Sequence, residues 1–235
     1  MDTFDERTAR WEKKMQRVVT QLLTRQRKAL VRKVNTAQKA APDLGTPEDW
    51  LAEFRDTVKP VLRQILTSAA EASIEDYALG ISFDVLDPHV TEWLDASAQR
   101  FATQVNATTW DQLRTALADG VREGESIADL AERVAQVMGD RIASSAETIA
   151  RTQVIPAFNA GTHESWRQSG VVKRKRWLST NDGRTRDAHV RAHGQEVGLD
   201  EPFVVDGEDL LYPGDPAGSP ENIINCRCTM TAVVE

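Results

Sequence analysis

Hydrophobic residues recur every three or four positions through the first two thirds of this chain, and that spacing stops at Gly170. A period near 3.6 marks amphipathic helices, whereas half-buried strands alternate with a period of two. Trp11, Met15, Val18, Leu22, Leu30 and Val34 form one such stripe and predict a long helix over residues 5–39. The segment "APDLG" breaks it. Thr46 before Pro47, with Asp49 three positions on, predicts the start of a second helix with an apolar face of Leu51, Phe54, Val58, Leu62, Ile65 and Leu66. Pro60 is expected to kink or divide that helix, and Gly80 to end it. Asp87-Pro88 repeats the start signal, and Trp93, Leu94, Phe101, Val105, Trp110, Leu113 and Leu117 read as core positions of a third helix. Ser126 with Asp129 resembles a capping box ahead of the stripe Ile127, Leu130, Val134 and Val137, and Gly139 reads as a C-cap. Another helix, from about Asp140 to Trp166, should bend or break at Pro156.

Beyond Gly170 the apolar runs shorten, and Gly, Pro and β-branched residues become frequent. "VVKRKRWLST" predicts a strand closed by the turn "NDG", residues 185–192 a short helix, and "FVV" and "CTMTAVV" two further strands. The expected fold class is α+β: a mainly helical N-terminal part, residues 1–169, followed by a small α+β C-terminal domain, residues 170–235. With 235 residues, 40% of them hydrophobic, there is enough apolar mass for two such parts. No run of about 18 uncharged apolar residues occurs, and the first residues lack the apolar stretch of a secretory signal. The expectation is a soluble protein made in a cytoplasm, with no membrane partner.

The net charge of −7 conceals a bipolar distribution. Residues 1–40 carry eleven Lys and Arg against four acids, and residues 167–191 eight against two, whereas residues 195–235 hold Arg227 against nine acids. The basic stretches admit local contact with nucleic acid; equally, opposite faces of one molecule pair with each other. Lys173, Arg174, Lys175 and Arg176 run into Trp177, an arrangement able to bind phosphate and stack a base. On a strand, Lys173, Lys175 and Trp177 face one way and Arg174 and Arg176 the other, so binding would be weak, salt-sensitive and blind to sequence. Trp177 reads as well as a core residue.

The chain's two cysteines, Cys226 and Cys228, flank Arg227 near the end. Alternate residues of a strand point to opposite faces, so a disulfide between them would be strained. If the backbone turns at Arg227, both sulfurs reach one zinc or other divalent metal ion, with nitrogen from His189 or His193 and an oxygen from Asp182. The alternative is a pair of small buried thiols in a reducing compartment, with no cofactor at all. Asp182, Arg184, Arg186, His189 and Asn225 also invite a metal-dependent nuclease or toxin-like reading, with His189, Asp182, Cys226 and Cys228 as its working groups, although their spacing specifies no such centre. In the plainer reading Asp182 caps a turn and pairs with an arginine.

In order, the chain carries Ala150-Arg151-Thr152, Trp177, Asp182 with Arg184, Arg186 and His189, then Gly194, Phe203, Pro213-Gly214-Asp215 and Asn225-Cys226-Arg227-Cys228. This series, over about residues 110–230, resembles the phage head morphogenesis family, the Mu F-like minor head proteins. The resemblance implies a structural component of a tailed-phage or prophage head, not an enzyme, incorporated in few copies during procapsid assembly. It implies the portal protein and the major capsid or scaffolding protein as partners, contact with viral double-stranded DNA near the exit channel, and residence in the virion after assembly in the host cytoplasm. His193 stands where the family usually has an acidic residue before the glycine, which makes it a poor candidate for a family-wide role. Arg151 is expected to pair with Asp182 or Asp215 and so fasten the helical part to the small domain. The basic N-terminal helix is expected to dock on an acidic portal or scaffold surface.

Overall fold

The computed structural model describes residues 3–37 and 42–233. Four long helices, α1 (Phe4–Asn35), α2 (Leu51–Asp76), α3 (Pro88–Arg122) and α4 (Ile127–Ser169), precede all the strands. A short 3-10 turn, Pro47–Trp50, leads into α2. After α4 come β1 (Arg174–Leu178), α5 (Asp187–Ala192), β2 (Glu196–Gly198), β3 (Phe203–Val205), β4 (Glu208–Leu210), α6 (Pro220–Ile223) and β5 (Thr229–Val233). This is the expected α+β class, with the helices first and small antiparallel sheets last. No described helix is long and apolar enough to cross a membrane.

The start signals act as read. The Asp87 carboxylate accepts from the His89 N–H at 2.9 Å, with Pro88 at the first helical position, and Ser126 and Asp129 close a reciprocal capping box through bonds of 3.1 and 3.2 Å. Gly139 does not end a helix, and neither internal proline divides one. α2 runs through Pro60, and α4 is one helix through both Gly139 and Pro156. A mid-helix glycine costs about 1 kcal/mol and a proline about 3, and an apolar face that stays buried along the whole helix outweighs both. The stripes also shift by single positions: Val19 and Met138 are buried where Val18 and Val137 were expected. The expected end of the first helix, at residues 38–39, lies outside the described residues.

By its internal contacts the chain divides into two compact units. One comprises Gln16–Lys59 and Ala96–Glu147. Its interior is mainly apolar, with Leu22, Leu30, Phe54, Phe101, Leu113, Leu130 and Val134 buried and the rings of Phe54 and Phe101 stacked at 6.1 Å. Within it the Gln26 amide donates to Asn106 Oδ1 at 2.7 Å, and Asn106 Nδ2 donates to the Ala102 carbonyl at 2.8 Å.

The other unit comprises Met1–Met15, Pro60–Asp95 and Thr148–Glu235, and it contains every strand among the described residues. One sheet has the order β2-β1-β5, with both neighbours antiparallel to β1, and β3 and β4 form a second antiparallel pair. Lys175 sits opposite Val197 and Ala232, and Trp177 opposite Met230. α4 backs this unit. A side chain at Gly161 would lie 2.2 Å from the Leu66 carbonyl oxygen, so only glycine lets α4 approach α2 this closely. Gly214, at φ +80°, brings the loop after β4 against the Pro156 ring.

Candidate metal centre and its polar frame

Three chemistry-bearing side chains converge where α5 meets the segment before β5. His189 Nδ1 lies 3.3 Å from Cys228 Sγ and 3.7 Å from Cys226 Sγ, and all three donor atoms fall within 4.8 Å of one another. All three residues are buried, each 2% exposed. The turn that allows this lies upstream of Arg227: α6 ends at Ile223, and Asn225 takes a left-handed φ of +57°. Cys226 and Cys228 then run without strand pairing, and the Cys228 N–H donates to Cys226 Sγ at 3.4 Å. A hydrogen bond from Cys228 and the facing His189 ring hold the Cys226 thiol well below its ordinary range, while the same bond to Cys226 and burial push Cys228 up.

Trp177 forms the wall behind the cluster. Fully buried on β1, its ring meets His189 edge-on at 5.7 Å and Phe203 at 5.3 Å. It is a core residue and is not placed to stack a base. His193, the alternative nitrogen donor, is exposed on its loop and accepts from the Ser179 N–H at 3.1 Å through Nδ1. Asp182 is likewise outside the cluster. Its two oxygens take both Arg227 guanidinium nitrogens at 2.6 Å and also accept from the Arg184 N–H and the Thr185 hydroxyl. The Arg227 guanidinium beside it holds the Asp182 carboxyl far below the usual carboxylate range. Asp182 therefore caps a turn and pairs with an arginine, and the metal-nuclease arrangement that would use it does not assemble.

Arg151 joins neither expected partner. Its Nε meets the Glu12 carboxylate at 3.2 Å, and its Nη1 donates to Asn225 Oδ1 at 2.8 Å. The neighbouring Thr152 hydroxyl accepts the Asn225 N–H at 3.0 Å, so two consecutive residues of α4 grip the turn that aims both cysteines. Asp215, the other expected partner, accepts the Leu211 and Ala217 N–H groups at 2.7 and 2.9 Å and stays within its own loop. Arg186 precedes α5 and donates to the Ile224 carbonyl, while the Arg184 side chain is 80% exposed.

The basic run divides differently from a phosphate-binding strip. Lys175 is fully buried: Nζ donates to the Leu199 carbonyl at 2.5 Å and lies over the Phe203 ring at 5.4 Å. Burial pushes its ammonium down to about 8, while Asp200, Asp215 and Glu201 favour its charge. A buried lysine cannot meet a phosphate backbone, so the expected DNA contact at Lys175 is corrected. Arg174 and Arg176 share Glu196 on β2, and Lys173 is exposed.

Two residues that spacing arguments passed over are central. Asn159, wholly buried on α4, donates to the Pro213 and Cys228 carbonyls at 2.9 and 3.1 Å and accepts from the Thr229 hydroxyl at 3.0 Å. His163, one turn on, shares the Leu199 carbonyl with Lys175 through Nε2 at 3.0 Å. The signal for both was a polar side chain placed where the helical period calls for an apolar one.

These residues lie within the span of the chain that a family model matches. The family model described as "Phage Mu protein F like protein" matches residues 111–231. The chain belongs to this family, that of phage head morphogenesis proteins. Among curated proteins it is 28% identical over 197 residues to "Uncharacterized protein YqbB" of Bacillus subtilis (strain 168), covering 82% of this chain and 64% of that one. It is 31% identical over 119 residues to "NAD(+)--arginine ADP-ribosyltransferase EFV" of Enterococcus faecalis (strain ATCC 700802 / V583), covering 49% of this chain and 24% of that one. The chain thus spans less than two thirds of either relative. No solved structure matches it.

Proposed function

We propose that the chain is a minor head protein of a tailed phage or prophage that acts at the portal vertex during procapsid assembly. The observation that carries this reading is the family match over residues 111–231, which takes in all of the strand-containing sequence up to β5. The family's polar residues support a structural role: Arg151, Asp182, Asp215 and Asn225 each bond to neighbours that brace the module. Exposed Arg10, Lys13, Lys14, Arg17, Lys28 and Arg32 make α1 a basic element suited to an acidic portal, major capsid or scaffolding surface. Contact with viral double-stranded DNA falls to Lys173, Arg174 and Arg176. Glu196 partly neutralises the two arginines, so this contact is weak and lost as salt is raised.

The test is co-expression with the portal, scaffolding and major capsid proteins of the same genome, followed by sedimentation of procapsids. The chain should co-sediment in a few copies per particle and be captured by portal alone. Procapsids that form with the chain left wholly in the soluble fraction would refute the assignment.

A further inference from the structure

We propose that His189 Nδ1, Cys226 Sγ and Cys228 Sγ bind one zinc ion, with the fourth coordination position turned toward the small cavity beside them. Zinc bonds to sulfur at about 2.3 Å and to imidazole nitrogen at about 2.0–2.1 Å, so a tetrahedral site separates S from N by about 3.5 Å. The observed separations, 3.3 and 3.7 Å, bracket that value. Two thiolates and an imidazole are a soft, tetrahedral donor set, which selects zinc over magnesium, calcium or manganese.

The surroundings are arranged as a ligand frame. Donation from the Cys228 N–H to Cys226 Sγ stabilises negative sulfur, and Arg151 and Thr152 fix the Asn225 turn that presents both thiols. Asn159 holds the Cys228 carbonyl from the α4 side. The cavity against the cluster has a volume of about 10 Å³, room for one water, and Thr180, Arg186 and Asn225 share its lining with the three ligands. Water fills the fourth position, which makes this a three-ligand site with α5 and the β5 entry stapled together. Zinc binding releases the thiol protons as it forms.

The experiment uses the full chain, expressed without a tag in zinc-replete medium and purified under reducing conditions. Elemental analysis should find about one zinc per chain, and Cys226→Ser with Cys228→Ser should lose it. A second measurement needs no variant: cobalt(II) titrated into the metal-stripped chain should produce thiolate-to-cobalt charge-transfer bands and tetrahedral d–d bands that saturate at one equivalent. Both bands should vanish when zinc is added, and His189→Ala should weaken them with the charge-transfer band surviving. Less than a tenth of an equivalent of zinc together with a featureless cobalt titration would overturn the site. So would a Cys226–Cys228 disulfide in the purified protein, or zinc that the cysteine variant retains.

Discussion

Gln26 and Asn106 face each other inside the unit built from Gln16–Lys59 and Ala96–Glu147, whose interior is mainly apolar, with Thr109 and Ser97 as further small buried polar residues. The strand-containing unit buries Asn159, His163, Lys175 and His189, each aimed at a particular carbonyl or sulfur. Apolar packing is tolerant: residues of similar volume on the same stripe interchange at modest cost. A buried polar group is intolerant, because losing one partner leaves another unsatisfied in a low-dielectric interior. The helical interior is thus specified by spacing, and the strand-containing interior by individual residues.

The largest effect should come from Asn159→Leu. It strips partners from two carbonyls and the Thr229 hydroxyl at once, and should cost about 4 kcal/mol, measured by urea unfolding. A cost below 1 kcal/mol would show that the network is incidental and that the two interiors do not differ. Gln26→Leu in the helical unit should cost about 1–2 kcal/mol by leaving Asn106 Oδ1 without its donor. Adding Asn106→Leu should then recover much of that loss, since an apolar pair suits an apolar interior. Strictly additive losses in the double variant would mean this unit, too, is specified by polar partners.

Lys175 gives a pH-dependent effect: the cost of burying its charge is full below about 8 and gone above 10.5. Its folded value of about 8 lies below the ordinary 10.5, so between these limits the unfolded chain binds more protons than the folded one. The contribution is fully present above 10.5 and is lost as pH falls through 8. The stability of the unaltered chain should therefore rise relative to Lys175→Met across that window, read from urea midpoints at pH 7.5, 9 and 10.5. Parallel pH profiles for the two proteins would place the lysine in water.

The sequence by itself determined the α+β class, the order of helices before strands, the starts at Asp87 and Ser126, and the family, because each rests on local periodicity, capping chemistry or residue order. It placed β1, β3, β5 and α5 within a few residues, but β2, β4 and α6 are three or four residues long and carry too little pattern to stand out. Gly139 was misread as a helix end, and Pro156 does not break α4, because propensity penalties of a few kcal/mol yield to burial along a continuous face. Only the tertiary structure decided partners. Arg151 met Glu12 and Asn225 because α1 and the Asn225 turn, distant in sequence, flank α4; Asp182 went to Arg227; and Lys175 turned inward because its place on β1 faces the core beside Trp177. The same is true of the cluster: the spacing of Cys226 and Cys228 raised the possibility of a shared ligand, but choosing His189 over His193 required knowing which face of α5 packs against the chain before β5. Charge and side-chain chemistry are written locally, whereas which groups meet depends on long-range packing that no local pattern encodes.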